Sequence, residues 1–198
     1  MKTGIIAATA LAASLMAATA AGAVTFTLTG GSDHMLPAIY NPTPGTPGLA
    51  PGATVKKNAT LGLSGPGRVT VTYGGTEAGY ANAFMLGGTT LFDNKSGPQA
   101  SVTADFGAGA LPFAFTTKKP AGSFANGAAQ GSYGSIAFYA LSDTSYYALF
   151  NDASTSDMDY DDMWVKMDVA PVPLPAAAWL LLGGIGVLGA ASRRKRTA

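Results

Sequence analysis

The chain contains no cysteine and a single histidine among its 198 residues. Without cysteine the fold cannot rest on disulfides, even in an oxidising compartment, and thiol chemistry and cysteine-based zinc sites are excluded. With one histidine, any Ser-His-Asp arrangement has to run through His34, which stands in Gly30-Gly31-Ser32-Asp33-His34-Met35 beside an expected loop. Charge is scarce as well, with 12% of residues Asp, Glu, Lys or Arg. Between Val24 and Pro175 there are seven basic and eleven acidic residues, a net charge of −4, so the formal +1 of the whole chain comes from its two ends. A mildly acidic body lacks the basic footprint that nucleic acid requires, and no nucleic-acid partner is expected. No phosphate-cradling glycine loop precedes a helical pattern; Gly74-Gly75 and Gly87-Gly88 read as turns. A glycosidase-type carboxylate pair stays open on residue type alone. The acidic residues, however, gather in one short stretch instead of flanking a groove, and the expectation is a protein that is not an enzyme.

Long apolar runs occur only at the ends. Lys2 is followed by an apolar stretch from Ile5 to Ala18, interrupted by Thr9 and Ser14, and then by Ala21-Gly22-Ala23. A positive start, an apolar segment and small residues at Ala21 and Ala23 form a signal-peptide pattern, which places signal-peptidase cleavage before Val24 and assigns residues 1–23 to the leader. At the other end, Ala176 to Ala191 is uncharged and mostly apolar, with Trp179, Leu180, Leu181, Leu182, Ile185, Val187 and Leu188. At ~1.5 Å per residue it spans roughly 24 Å as a helix, slightly short of a ~30 Å hydrocarbon core. Leu174 and the snorkelling stems of the following basic residues extend its reach. Arg193, Arg194, Lys195 and Arg196 form a basic stop that holds this end in the cytoplasm and leaves the body across the membrane. Pro173 and Pro175 keep Val172–Pro175 extended and open to a protease. A plain C-terminal membrane anchor is the alternative reading.

The motif Val172-Pro173-Leu174-Pro175-Ala176, the apolar run and the basic stop together closely resemble the VPLPA form of the PEP-CTERM sorting signal. The resemblance implies export in a Gram-negative bacterium, cutting near the motif by an exosortase-type membrane protease, and delivery to the cell surface or extracellular matrix. It covers residues 172–198 and implies nothing about the fold upstream.

Residues 24–171 are long enough for one domain with a workable core. Gly, Thr, Ser and aromatics are plentiful there while Leu, Glu and Lys are few, which disfavours helices and favours strands joined by tight turns. Val24–Thr29 and Val69–Tyr73 alternate with period 2. Further strands are expected at Thr89–Phe92, Ser101–Phe106, Leu111–Phe115, Ser135–Leu141, Tyr146–Phe150 and Met163–Val169. The fold class that follows is all-β, an antiparallel β-sandwich or jelly-roll-like domain, flanked by the signal peptide and the transmembrane sorting helix. No internal repeat is evident. Pro37 to Gly52, with five prolines, reads as a long exposed loop of polyproline character. Asn58-Ala59-Thr60 and Asn94-Lys95-Ser96 match glycosylation tripeptides and are read as chance.

Six of the eleven acidic residues of the body fall between Asp152 and Asp168. In an extended segment Asp157, Asp159 and Asp161 point one way and Asp162 the other. Carboxylates converging without a base are stable when solvated or when a hard cation neutralises them, and Ca²⁺, with six to eight oxygen ligands, suits such a set. An EF-hand fails. Asp162 takes the place of the turn glycine, Asp168 that of the terminal glutamate, and Met163–Val169 alternates as a strand that carries Asp168 away. A solvated acidic turn is the alternative to calcium.

The segments Gly75-Thr76-Glu77-Ala78-Gly79-Tyr80-Ala81-Asn82-Ala83-Phe84, Phe150-Asn151-Asp152 and Asp157-Met158-Asp159-Tyr160-Asp161-Asp162-Met163 look like the motif pair of DUF4114-type β-rich domains. That resemblance implies that Glu77 lies beside the acidic loop and shares its ion. The expected site is then one structural Ca²⁺ held by some of Asp157, Asp159, Asp161, Asp162 and Glu77, with Asp152 as an outer candidate. The function expected is a structural or adhesive role in the envelope or matrix, and extracellular polysaccharide is a possible partner. The alternative is a calcium-dependent carbohydrate-binding module using Tyr146, Tyr147, Tyr160 or Trp164 as a stacking face.

Overall fold

Twelve strands account for most of the computed structural model, which describes residues 23–37, 49, 52–97, 99–118, 121–128, 134–152, 158–172, 183 and 185–186. They are β1 (Phe26–Met35), β2 (Thr54–Leu63), β3 (Gly67–Gly75), β4 (Asn82–Leu86), β5 (Thr89–Asp93), β6 (Ser101–Phe106), β7 (Gly109–Ala110), β8 (Phe113–Lys118), β9 (Ala121–Ala125), β10 (Ser135–Ser142), β11 (Ser145–Asn151) and β12 (Met163–Pro171). The larger sheet runs β1-β2-β10-β11-β12-β3-β6, with β7 added to β2, and the smaller runs β5-β4-β8-β9. Every pairing is antiparallel. The body is therefore all-β and sandwich-like.

The two sheets meet through aromatic side chains. Phe84, Phe92, Phe113 and Phe115 of the smaller sheet share a core with Val71, Ile136, Phe138, Phe150, Val165 and Met167 of the larger. Phe115 stacks on Phe150 with ring centroids 5.0 Å apart, and Phe113 meets Phe138 edge-on at 6.2 Å. Fully burying one such side chain stabilises by about 1.5–3 kcal/mol.

A second core lies on the opposite face of the larger sheet, where Ala137, Tyr147, Leu149 and Trp164 are covered by Leu36, Leu49, Val55 and Tyr160. Strands β10 to β12 are thus buried on both faces, which is why Ile136-Ala137-Phe138 and Tyr147-Ala148-Leu149-Phe150 are unbroken apolar runs. The proline-rich segment, expected to be exposed, has buried ends: Leu36 is 1% and Leu49 3% accessible. Leu36 N–H donates to Ala53 O (2.9 Å) and Gly52 N–H to Leu36 O (3.3 Å), which joins the two ends of that segment to each other.

The first two strands serve both cores by changing face. Ala59, Leu61 and Leu63 point into the inter-sheet core, whereas Val55, at the same strand parity, joins the second core. Asn58, with φ 57°, makes the switch, and opposite it Gly30 and Gly31 stand at 70° and 75°. A Cβ on Gly31 would meet the Lys57 carbonyl oxygen at 2.6 Å, so glycine is required there. His34, expected beside a loop, lies in β1 beyond this kink.

Residues 1–22 of the expected leader, including Ala21, and residues 173–182, 184 and 187–198 of the expected sorting tail lie outside the described residues. Among the described residues no helix is long and apolar enough to cross a membrane.

Candidate metal centre

At one end of the sandwich the connection from β3 to β4 lies beside the connection from β11 to β12. Glu77 N–H donates to Asp161 O (3.2 Å), and Thr76 Oγ1 donates to Asp162 O (2.5 Å). Asn82, at the start of β4, donates through Nδ2 to Asp152 Oδ2 (2.5 Å) and to Asp162 O (3.4 Å). Asp152 N–H in turn donates to Asp162 Oδ2 (2.7 Å). The outcome is a group of carboxylate oxygens from Glu77, Asp161 and Asp162, all within 4.8 Å of one another.

Tyr160 positions this group. It is fully buried, donates nothing to solvent, and its hydroxyl accepts a hydrogen bond from Ser135 Oγ at 2.7 Å. Its φ of +62° is a left-handed conformation that costs a bulky residue about 1–2 kcal/mol and persists because the ring is anchored. His34 supports the same turn, with Nε2 2.9 Å from Met158 O and its ring edge-on to Tyr160 at 5.4 Å. The turn at Tyr160 breaks the extended alternation expected for residues 157–162. Asp162 is consequently not turned away from Asp161 but converges with it. Asp159 is half-buried beside Asp161 and outside the 4.8 Å group, and Asp157 lies outside the described residues. Asp168 is carried off along β12, where it accepts from Ser145 Oγ (2.7 Å) and pairs with Lys166 (2.9 Å).

The electrostatics are those of charge held without a base. Among the described residues the ion pairs are Lys56–Asp33, Arg68–Asp105 and Lys166–Asp168, and none of them involves Glu77, Asp161 or Asp162. Burial pushes the Asp161 carboxyl up to about 8, helped by a hydrogen bond and charge from Asp159 and by the charges of Glu77 and Asp162. Asp162 is pushed up to about 7, again chiefly by burial, against the opposing hydrogen bond from Asp152 N–H. Asp161 is 6% accessible, and its Oδ1 has no hydrogen-bond partner among the described residues. A buried acceptor without a donor is costly unless something else satisfies it. A Ca²⁺ ion bound at ~2.3–2.6 Å holds its ligands within about 5 Å of one another, so the three carboxylates fit one such ion.

The aromatics considered for sugar stacking are mostly inside the fold. Tyr147, Tyr160 and Trp164 are 2%, 0% and 3% accessible, and Tyr146 packs edge-on against Phe26. Tyr147, Tyr160 and Trp164 offer no open face, and Tyr146 is half-buried. The exposed aromatic near the site is Tyr80, 42% accessible, whose carbonyl accepts from Asn94 Nδ2. Nothing in its sequence surroundings marked it beyond the Glu77–Tyr80 segment. Thr76 and Asn82, which organise Asp162, were also missed as site residues because neither is charged. Compared with family models and with curated proteins, the chain matches none.

Proposed function

We propose that this chain is an exported, surface-sorted, non-enzymatic protein whose sandwich is stabilised by Ca²⁺ bound to Glu77, Asp161 and Asp162, with Asp159 adjoining. Its role is structural or adhesive, in the cell envelope or extracellular matrix. The observation that carries the metal reading is Asp161: a buried carboxylate with an unpartnered oxygen, within 4.8 Å of two others. The ion ties the β3–β4 connection to the β11–β12 connection and so clamps the smaller sheet to the larger. Calcium titration of the chelator-stripped full chain by calorimetry tests this. Saturable binding is expected in the wild type, and the binding that belongs to this group should disappear in Asp161→Asn; no heat in either contradicts it.

The sorting reading rests on residues 172–198. Its supports are the Val172–Ala176 motif, the apolar run and the Arg193–Arg196 stop. A Pro173→Ala/Pro175→Ala double variant, expressed in a Gram-negative host with an exosortase-type protease, should accumulate as uncut precursor in the membrane. Normal processing of that variant would remove the reading. Calcium-dependent polysaccharide binding remains as the second reading because Tyr80 is exposed beside the site.

A further inference from the structure

Directly inside the acidic group, the inter-sheet core ends in oxygen-bearing side chains. Phe84, Phe115 and Phe150 form one aromatic cluster, with Phe84 edge-on to Phe115 at 5.1 Å and Phe115 stacked on Phe150 at 5.0 Å. Two residues on from each ring towards the site end stand Asn82, Thr117 and Asp152, which are 2%, 4% and 0% accessible. Side chains two apart on a strand share a face, and Asn82 and Thr117 are direct cross-strand partners between β4 and β8. Asn82 Nδ2 reaches Asp152 Oδ2 at 2.5 Å, which brings the third group into the same pocket.

Two oxygens here, Asn82 Oδ1 and Thr117 Oγ1, are buried with no hydrogen-bond partner among the described residues. Both can accept; Asn82 adjoins the buried Asp152 carboxylate, and Thr117 is its cross-strand partner. Asp152 is not among the three mutually close carboxylates of the outer group, although it lies against Asp162. We propose a second, inner cation position, a Ca²⁺ bound between the sheets by Asn82 Oδ1, Thr117 Oγ1 and the Asp152 carboxylate. It rests on the same cation chemistry as the outer site but on different residues. The inner ion caps the open end of the aromatic core with a charge-neutralising contact, and links β4, β8 and β11 where hydrophobic packing stops.

Native mass spectrometry of the chelator-stripped full chain, recharged with calcium alone, counts the ions. Two per chain are expected, falling to one in Thr117→Val. That variant keeps the shape of the side chain and removes only the unpartnered hydroxyl, so it should melt no lower than wild type in EDTA while gaining less from calcium. Asp161→Asn should lose the outer ion and retain the inner. One ion in the wild type, whether or not a buried water fills the pocket, overturns the inner position and leaves the outer standing. None overturns both. Two ions in both wild type and Thr117→Val remove the assignment to this pocket.

Discussion

Asp161 and Asp162 carry their protons to unusually high pH because burial penalises the charged form, and this fixes how the metal-free protein responds to pH. In the unfolded chain both titrate near 3.8; in the folded chain near about 8 and about 7. Between those limits the native state binds more protons than the unfolded state, so stability falls as pH rises. In EDTA, melting temperature should therefore decline from about pH 4 towards pH 8 and level off above it. In millimolar calcium the slope should reverse, since the ion binds the ionised groups and protons compete with it. Replacing Asp161 by Asn removes one uncompensated buried charge. At pH 8 in EDTA the variant should be the more stable by about 1–3 kcal/mol, and in calcium the less stable. Melts at both conditions check the sign. The excess of acid without base was legible in the sequence, and with it Asp161 and Asp162 as candidates, whereas Glu77 was reached only through the resemblance to DUF4114-type domains. The direction of Asp162 was not, because alternation assumes an extended backbone and Tyr160 stands at φ +62°.

Strand β12 shows what alternation conveys and what it hides. Met163, Val165, Met167 and Val169 face the inter-sheet core as their period-2 pattern requires. Trp164, between them, reads as an outward aromatic, yet its ring lies over Gly74 on β3, where a register shift between Trp164 and Val165 accommodates it. A Cβ on Gly74 would run into the indole carbons, so Gly74→Ala should destabilise by about 1–3 kcal/mol through overpacking, read by chemical denaturation. The strands with clean alternation or continuous β-branched and aromatic runs were legible. Strand β2 was not: Lys56-Lys57-Asn58 looks like a turn, and the face switch at Asn58 sends Val55 to a different core from Ala59. Strand β4 is five residues of mixed small and apolar side chains, and β9 carries Ala, Gly and Ser with one Phe. Such strands are held by their neighbours more than by their own propensity.

Across the whole molecule, two cores and one polar end divide the work of holding the sheets. The Phe115–Phe150 stack is the central bond between them, and Phe150→Ala should cost about 3–5 kcal/mol. A Phe115→Ala/Phe150→Ala cycle should show coupling of about 0.5–1.5 kcal/mol beyond the two single losses. At the end of that stack the sheets are joined instead by the hydrogen bonds of Asn82, Asp152 and Asp162 beside the neighbouring carboxylates.

The measurement that bears most directly on this account is a pair of thermal melts of the full chain at neutral pH, in millimolar calcium and in EDTA, beside an Asp161→Asn/Asp162→Asn double variant. An ion binding only the native state at a hundred times its dissociation constant adds about 2.7 kcal/mol, or roughly 5–10 °C for a domain of this size. The account predicts that rise in the wild type and a clearly smaller one in the double variant. Superimposable wild-type melts in calcium and EDTA would contradict it.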